Sequence, residues 1–338
     1  MRLYQPLLPL LALLPVACTS SLDHSNYYID ATAGSDSNAG TSPEKPWKTF
    51  APLASLKLSP GDSLLLRRGS VFDSRLELSA SGSPEARIVV DAYGEGDAPR
   101  INAPDSEAAA GIWPWSCDNT VVRFNEASDH KAPWDAQGFD SDYNCRNTTI
   151  EYNYSHDNDG GFLLVCNNGD SKAPQSVGNV GTVVRYNISI GDAVRQRPTR
   201  VGKFSPTLHF AGPTDSTLLE NNIFFADAKP SLLVDRHMVT SDSWGGHSRN
   251  FTFRGNVFLS MDPSAFSLGE STGVTFDGNY YIGTFSGLPA DTTARPVFDL
   301  DKTLLPTLLR KLPVGNGTAT LTTVDPDKIT AFFKGLGE

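Results

Sequence analysis

Residues 119–125, NTVVRFN, are the first copy of a pattern that recurs along the chain and decides its fold. Each copy is a short run of β-forming residues that ends in an asparagine, and the later copies are NTTIEYN, GTVVRYN, STLLENN, NFTFRGN and GVTFDGN. The final residues are Asn125, Asn153, Asn187, Asn222, Asn256 and Asn279, at intervals of 28, 34, 35, 34 and 23 residues. Repeats of this length predict a solenoid of stacked parallel strands.

Each position of the repeat predicts one row of side chains. The residue three before each asparagine is apolar and predicts an interior stack: Val122, Ile150, Val184, Leu219, Phe253 and Phe276. The asparagines predict a ladder of amides that satisfies backbone groups in the turns. The residue two before each asparagine alternates in charge, in the order Arg123, Glu151, Arg185, Glu220, Arg254 and Asp277. Opposite charges on adjacent strands favour this register and oppose slippage by one coil.

A second β-rich run precedes each of these segments, and in residues 138–145 it reads GFDSDYNC. Successive side chains of a strand point to opposite faces. If Phe139, Ser141 and Tyr143 point inward, Asp140 and Asp142 point outward, about 6.5–7 Å apart along the strand. We expect the two carboxylates on an exposed wall, where they suit acid and base catalysis or half of a cation site. Two solvated surface acids are the structural alternative.

Polar residues close in sequence surround this pair. Asp135 and Gln137 are candidate substrate-binding residues. His156 is a candidate catalytic residue, or a structural partner within its own turn. Asp157 and Asp159 are possible ligands for Ca²⁺, a cation that prefers oxygen ligands.

The run GIWPWSC, residues 111–117, allows two registers against GFDSDYNC. If the glycines align, Trp113 and Trp115 flank the aspartates and could stack on sugar rings. If Cys117 aligns with Cys145, the tryptophans turn inward as core. The aligned cysteines could form a disulfide or remain stacked, buried thiols.

Long loops between coils commonly build the binding face of a solenoid. The loop 191–205 predicts a cationic patch that could recognise uronate or sulfate groups; its members are Arg195, Arg197, Arg200 and Lys203. Further candidate groove residues are His209, Arg236 and His237.

Composition bounds the class of protein. The chain has 338 residues and a net charge of −10, which argues against binding nucleic acid or an anionic membrane through bulk charge. Residues 1–20 predict a signal peptide too short to span a bilayer. We therefore expect a secreted protein, or a lipid-anchored one at Cys18 if the source is bacterial. We expect no transmembrane segment. We also expect the protein to be a monomer.

We expect one solenoid domain over residues 27–299, followed by a capping segment, 300–338, with short helices that cover the last coil. The clearest helical pattern near the N-terminus runs from Trp47 to Leu58. The predicted fold class is all-β.

Three phrases in residues 27–102, GSDSNAGTSPEKPWKTF, PGDSLLLRRGS and AYGEGDAPRI, resemble the opening coils of secreted right-handed parallel β-helix proteins. Residues 111–166 resemble a block of the pectate-lyase-like superfamily, which includes β-helical glycoside hydrolases and polysaccharide lyases. The resemblance implies a single-stranded right-handed parallel β-helix with Asp140 and Asp142 in its cleft. The chain departs from that pattern between Asn102 and Gly111, where several coils are absent.

Three functions follow from these observations. The first is a glycoside hydrolase that acts on a plant or microbial polysaccharide through paired carboxylates and needs no cofactor. The second is a Ca²⁺-dependent polysaccharide lyase in which a basic residue from the loop 191–205 abstracts a proton. The third is a non-catalytic or degenerate β-helix that binds glycans.

Overall fold

The computed structural model describes residues 24–102, 110–168, 178–195, 198, 205–226 and 236–294. Three groups of predictions lie outside these residues: the signal peptide 1–20 with Cys18, the loop cations Arg197, Arg200 and Lys203, and the capping segment 300–338. Within the described ranges, no helix has the length and hydropathy needed to cross a bilayer.

The described residues form short β-strands and one 3-10 helix, Ala51–Ser55. The strands, in chain order, are β1 (Asn26–Ile29), β2 (Ser63–Arg67), β3 (Val71–Phe72), β4 (Leu76–Leu78), β5 (Ile88–Tyr93), β6 (Arg100–Ile101), β7 (Ile112–Pro114), β8 (Thr120–Arg123), β9 (Glu126–Ser128), β10 (Gln137–Ser141), β11 (Thr149–Glu151), β12 (Tyr154–His156), β13 (Gly161–Cys166), β14 (Asn179–Val180), β15 (Val183–Arg185), β16 (Ile188–Ile190), β17 (Leu208–Ala211), β18 (Thr214–Asp215), β19 (Leu218–Glu220), β20 (Ile223–Ala226), β21 (His237–Asp242), β22 (Thr252–Arg254), β23 (Val257–Ser260), β24 (Ser264–Ser267), β25 (Thr275–Asp277), β26 (Tyr280–Ile282) and β27 (Phe285–Ser286).

The strands stack into three long parallel sheets. Sheet I has the order β1-β2-β5-β8-β11-β15-β19-β22-β25, sheet II the order β3-β6-β9-β12-β16-β20-β23-β26, and sheet III the order β4-β7-β10-β13-β17-β21-β24-β27. A two-stranded sheet pairs β14 with β18. The chain visits sheets I, II and III in turn, as in β8-β9-β10 and then β11-β12-β13, so each coil adds one strand to each sheet. The predicted parallel β-helix is confirmed.

The asparagine ladder is present as the repeat predicts. Asn153 lies at the turn from sheet I to sheet II, and its backbone N–H donates to Asn187 Oδ1 at 2.9 Å. The Nδ2 of Asn153 donates to the same oxygen and to the backbone oxygen of Val122. Asn187 repeats the pattern towards Asn222. The ladder amides are buried, so each satisfies turn groups that water does not reach.

The residue before each ladder asparagine has a left-handed backbone. Phe124, Tyr152 and Tyr186 have φ of 58°, 54° and 55°, a conformation that costs a bulky residue about 1–2 kcal/mol. Their rings stack on the outside of the turn, with centroids 5.4 and 5.1 Å apart in the two successive pairs. This stacking offsets part of the strain. In later coils Gly255 and Gly278 occupy the same position at φ of 60° and 64°.

The charge ladder is also in the predicted register. Glu151 lies between Arg123 and Arg185 on adjacent strands of sheet I. Its carboxylate is 2.8 Å from the Arg185 guanidinium. Arg123 pairs instead with Asp91 of the preceding coil, at 2.8 Å. The alternation therefore begins one coil earlier than the six-fold repeat indicates.

One expectation near the N-terminus needs correction. The helix expected between Trp47 and Leu58 is only the 3-10 turn Ala51–Ser55, which lacks a side-chain N-cap and charged residues that would stabilise its ends. The absent coils leave no gap, because Val90 of β5 pairs directly with Val122 of β8. The shorter solenoid is thus continuous.

Candidate active site

Asp140 and Asp142 point away from the solenoid interior on the outer face of sheet III. Phe139 lies in the apolar core and Ser141 bonds to the buried Thr182, so the alternation is as predicted over residues 139–142. Tyr143, also expected to point inward, instead packs against the cluster around Leu164, because the strand ends at Ser141. Carboxylate oxygens of the two aspartates and the Sγ of Cys166 all lie within 4.8 Å of one another. The two carboxylates are thus closer than the spacing along an ideal strand.

The predicted exposure of this pair is wrong. Asp140 is 3% exposed and Asp142 is 7% exposed. Asp140 pairs with Leu164 of the next coil, and Leu164 belongs to a second apolar cluster outside the solenoid. The partly buried Tyr143 and Trp244 pack against that cluster. Side chains from neighbouring coils therefore cover carboxylates that one coil alone would leave in water.

Both proposed registers of residues 111–117 occur, in different places. Ile112 pairs with Phe139, which is the glycine register. Asp118 bridges to Arg146, which is the cysteine register, one residue later. The change of register by one residue takes place in the turn after β7, so Trp113 and Trp115 remain outside the solenoid interior. Cys117 and Cys145 are buried free thiols.

Asp142 receives three hydrogen bonds. Trp113 Nε1 donates to one carboxylate oxygen. The other accepts from the backbone N–H of Tyr143 at 2.6 Å and from Cys166 Sγ at 3.0 Å. Burial raises the pKa of Asp142, and the three donors oppose that rise because they favour the charged carboxylate. Asp142 is therefore held as a fixed hydrogen-bond acceptor.

Asp140 lies in a more apolar setting. Its Oδ1 is buried and accepts no hydrogen bond from the described residues. Burial, followed by the negative charges of Asp142 and Asp135, raises the pKa of Asp140 well above its usual value. Asp140 is thus the member of the group that binds a proton most readily.

Asp135 completes the acid group from the loop between β9 and β10. It is partly exposed, in contrast to the other two acids. Burial raises the pKa of Asp135, while the charges of His209 and Arg195 oppose that rise. Three carboxylates therefore share one face, and Asp135 is the one most open to solvent.

Arg195 does not form the exposed cationic patch that the sequence suggests. It is 1% exposed, and its guanidinium donates to the backbone oxygens of Ala132, Trp134 and Asp135 at 2.9–3.1 Å. The loop between β9 and β10 folds onto the Arg195 side chain and buries it. Arg195 holds the segment that carries Asp135.

The other groove candidates lie further along sheet III. His209 of β17 pairs with Leu164 and contacts Asp242, with Nε2 to Oδ2 at 2.9 Å. Arg236 lies 3.7 Å from Asp262, and His237 Nδ1 is 3.0 Å from the Thr240 hydroxyl. His209 is thus the nearest of the three to the acids.

His156 is placed on a different sheet from the acid pair. It belongs to β12 of sheet II, where its ring nitrogens lie 3.0 Å from Glu126 and 2.7 Å from Asp157. Burial lowers the pKa of His156, but the bonds and charges of the two carboxylates outweigh it and raise the pKa to about 9. A charged imidazolium between two acids is a structural ion cluster.

The proposed calcium ligands do not converge. Asp157 contacts His156, and the buried Asp159 lies 3.4 Å from Lys131 Nζ. Within the described ranges, the group with metal-ligand spacing is Asp140, Asp142 and Cys166. A thiol is a poor ligand for Ca²⁺, which prefers oxygen. This donor set does not fit the cation.

The sequence missed two contributors to the site. Cys166 was not a site candidate, although its place at the end of the run GFLLVC sets it directly across from the acid strand. Trp134 was not singled out, yet it is 39% exposed beside Asp135. Trp115 is 40% exposed, whereas the candidate Gln137 is buried with an unpaired Oε1. The sequence signal for Trp134 was a tryptophan directly before an acidic residue in a long loop.

Comparisons with known proteins agree on the fold. No protein-family model matches the chain. It is 29% identical over 205 residues to lacto-N-biosidase of Bifidobacterium longum subsp. longum, covering 58% of this chain and 11% of that protein. The crystal structure of GH136 lacto-N-biosidase from Eubacterium ramulus is similar with a TM-score of 0.50 and 17% identity, covering 77% of this chain and 60% of that one. A rhamnogalacturonan lyase has a TM-score of 0.51 and 12% identity, covering 80% and 85%. The chain thus spans about a tenth of the curated relative's length.

Proposed function

We propose that this chain is a glycoside hydrolase whose reacting groups lie on the outer face of sheet III. The observation that carries the proposal is the pair Asp140 and Asp142, whose carboxylate oxygens lie within 4.8 Å of one another, with Asp135 close enough for its charge to raise both pKa values. Hydrolysis of a glycosidic bond uses one carboxylate that holds a proton and one that does not. The similarity in sequence to a lacto-N-biosidase supports the same reaction class.

Asp142 is proposed as the ionised carboxylate, acting as nucleophile or general base. Hydrogen bonds from Trp113, Tyr143 and Cys166 favour its charged form and fix its orientation. Fixed orientation matters because the reacting oxygen must lie close to the anomeric carbon. Asp142 therefore has the support that this role requires.

Asp135 is proposed as the general acid. A general acid must contact the leaving oxygen, so access is considered before pKa. Asp140 binds protons more readily but is the least exposed of the three acids, whereas Asp135 is partly exposed and also has a raised pKa. Asp140 then remains neutral beneath the pair, where a charge would be costly.

A lyase reaction has less support in the described residues. Arg195 is the basic residue of the loop 191–205 that lies within the described ranges. It is buried and donates to three backbone oxygens. The possible calcium ligands Asp157 and Asp159 lie apart from the acid pair. The ionised Asp142 would also repel the carboxylates of a uronate polymer.

The test is product analysis on a panel of neutral and uronate-containing glycans that includes a lacto-N-biose oligosaccharide. Hydrolysis predicts new reducing ends and no gain of absorbance near about 235 nm, where unsaturated uronate products of a lyase absorb strongly. A gain of that absorbance would refute hydrolysis. Glycan binding without any product would favour the non-catalytic β-helix.

The assignment of the acid is tested separately by Asp135→Asn and Asp140→Asn. We expect Asp135→Asn to lose roughly 10²–10⁴-fold in kcat, the range for removal of a general acid. Asp140→Asn should lose less, because its role is to remain uncharged. Retained activity in Asp135→Asn together with inactivity in Asp140→Asn would move the acid role to Asp140.

Export of the protein and a monomeric state are part of the same proposal, because a polymeric glycan is met outside the cell. Mass spectrometry of the mature N-terminus would show removal of residues 1–20 or a lipid on Cys18. Light scattering would give the oligomeric state. An intact N-terminus on cytoplasmic protein would contradict export.

A further inference from the structure

Trp134 and Trp115 are the tryptophans that the described fold leaves most exposed. Trp134 directly precedes Asp135, and Pro114, the residue before Trp115, accepts a hydrogen bond from the N–H of Asp142. We propose that Trp134 is a stacking platform for a sugar ring of the substrate and that Arg195 is the positioning residue that holds it in place. The inference rests on the proposed function, because it adds a subsite to that hydrolytic centre. It also names the substrate class, a neutral oligosaccharide.

Arg195 fixes the main chain on both sides of the indole. Its Nη1 donates to Ala132 O at 3.1 Å, and its Nη2 donates to Trp134 O at 3.1 Å and Asp135 O at 2.9 Å. These three bonds end on backbone oxygens, and the Trp134 residue that they hold is 39% exposed. The planar guanidinium suits this arrangement because its donors have fixed directions.

The same anchor also orders the proposed acid. Asp135 follows Trp134 directly, and the Arg195 bonds to both carbonyls fix the two residues as one unit. The loop is held at its far end as well, where the N–H of Gly160 donates to Ala136 O at 2.8 Å. A ring stacked on Trp134 would therefore lie at a fixed position relative to the Asp135 carboxyl group.

Trp115 borders the acids from the neighbouring coil. The backbone N–H of Asp142 donates to Pro114 O at 3.0 Å, so Trp115 starts next to Asp142 across the strand gap. The two exposed indoles thus flank Asp135 and Asp142 on separate elements, one from the loop before β10 and one from the end of β7. This arrangement suits a ligand with rings on both sides of the bond to be cleaved.

The chemistry of the surface selects the ligand. A pyranose ring presents a face of C–H groups that packs on an indole, while its hydroxyls remain at the edge for polar groups. The nearby carboxylates and the net charge of −10 disfavour anionic chains such as uronate polymers and nucleic acids. A neutral oligosaccharide of at least two rings fits both features.

The experiment measures glycan affinity by calorimetry in the Asp142→Asn background and kinetics in the wild-type background. Trp134→Ala should weaken binding and raise KM by roughly tenfold, the effect of losing one aromatic anchor, with kcat within about twofold. Trp134→Phe should restore most of the affinity, because a smaller aromatic face remains. Leu288→Ala, an exposed apolar residue beyond the last strand of sheet III, is the matched control and should change neither constant.

Arg195→Lys separates the anchor from the platform. Lysine keeps the charge but cannot make three bonds of fixed direction, so both KM and kcat should suffer as Trp134 and Asp135 lose their position. Adding Trp134→Ala to Arg195→Lys should raise KM little further, because both changes remove the same contact. Additive effects on KM would contradict the positioning role.

Unchanged affinity and KM in Trp134→Ala would overturn the platform. This result differs from failure of the proposed function, in which the wild-type protein releases no hydrolysis product. Tight glycan binding that depends on Trp134 in a protein without turnover would keep the platform and reject the hydrolase.

Discussion

Removal of one ladder amide should destabilise the solenoid far more than a typical single polar substitution. Asn187 accepts a hydrogen bond from the backbone N–H of Asn153 at 2.9 Å, and its Nδ2 donates to the backbone oxygen of Ile150 at 2.8 Å. Asn187→Ala removes both partners at a buried site. Each buried group left unpaired costs about 1–3 kcal/mol, so the expected loss is roughly 3–5 kcal/mol once the small cavity is included.

Thermal unfolding followed by circular dichroism checks this value. For a domain of this size a loss of that order lowers the Tm by roughly 5–9 °C. Asn187→Asp is a second test, because its added carboxylate oxygen would replace the Nδ2 donor and face the acceptor oxygens of Ile150, Arg185 and Asn222; at neutral pH it should therefore lower the Tm at least as much as Asn187→Ala. A loss below about 1 kcal/mol in Asn187→Ala would refute the structural role of the ladder, since surface substitutions reach only that range.

Three further perturbations follow from named contacts. His156→Gln should lower the free energy of unfolding by about 3 kcal/mol below pH 6.5, because the pKa of His156 is raised to about 9 in the folded protein. This difference from the wild-type protein should disappear as the pH rises through about 9. Urea unfolding below pH 6.5 and above pH 9 measures it, and an equal loss at high pH would contradict it. Cys166→Ala removes a donor that lowers the pKa of Asp142, so the acidic limb of kcat/KM should move to higher pH; a shift to lower pH would be inconsistent. Glu151→Arg would place three cations in succession on sheet I and should destabilise by about 1–2 kcal/mol at low salt, with part of the loss recovered in high salt; a salt-independent loss would point to packing.

The regular part of the fold was predictable because its signals repeat. The apolar stack, the asparagines and the alternating charges recur at one position per coil, so each coil confirms the register of the next. Asn187 and Glu151 could be placed beside their neighbours from spacing alone. The backbone strain at Phe124 and Tyr152 could not, because aromatic residues are usually avoided where φ is positive.

The candidate site was less predictable because its environment comes from other coils. Strand alternation correctly placed Asp140 and Asp142 on the outer face. Their burial depends on Leu164 and the cluster around it, from the following coils, and the sequence of a single strand contains no record of that cover. The sequence predicted Arg195 to be a surface cation because its partners are backbone oxygens 60 to 63 positions away along the chain. No side-chain pattern reveals such partners.

His156 illustrates the same limit on the other side of the solenoid. Its distance along the chain from Asp142 is short, but one turn of the chain carries it to sheet II. There it meets Glu126, which a parallel partner strand supplies. Proximity in sequence was a poor guide because a coil sends neighbouring strands to different sheets.

Turnover of Asp142→Asn on a glycan that the wild-type protein cleaves tests the account most directly. Asp129→Asn is the matched control, since Asp129 is exposed and has a left-handed φ of 58° that asparagine tolerates. The account predicts a loss of at least about 10³-fold in kcat for Asp142→Asn, in a protein whose circular dichroism spectrum still shows the folded solenoid, and a control that stays within about twofold. Wild-type turnover in Asp142→Asn would contradict the assignment of sheet III as the reacting face.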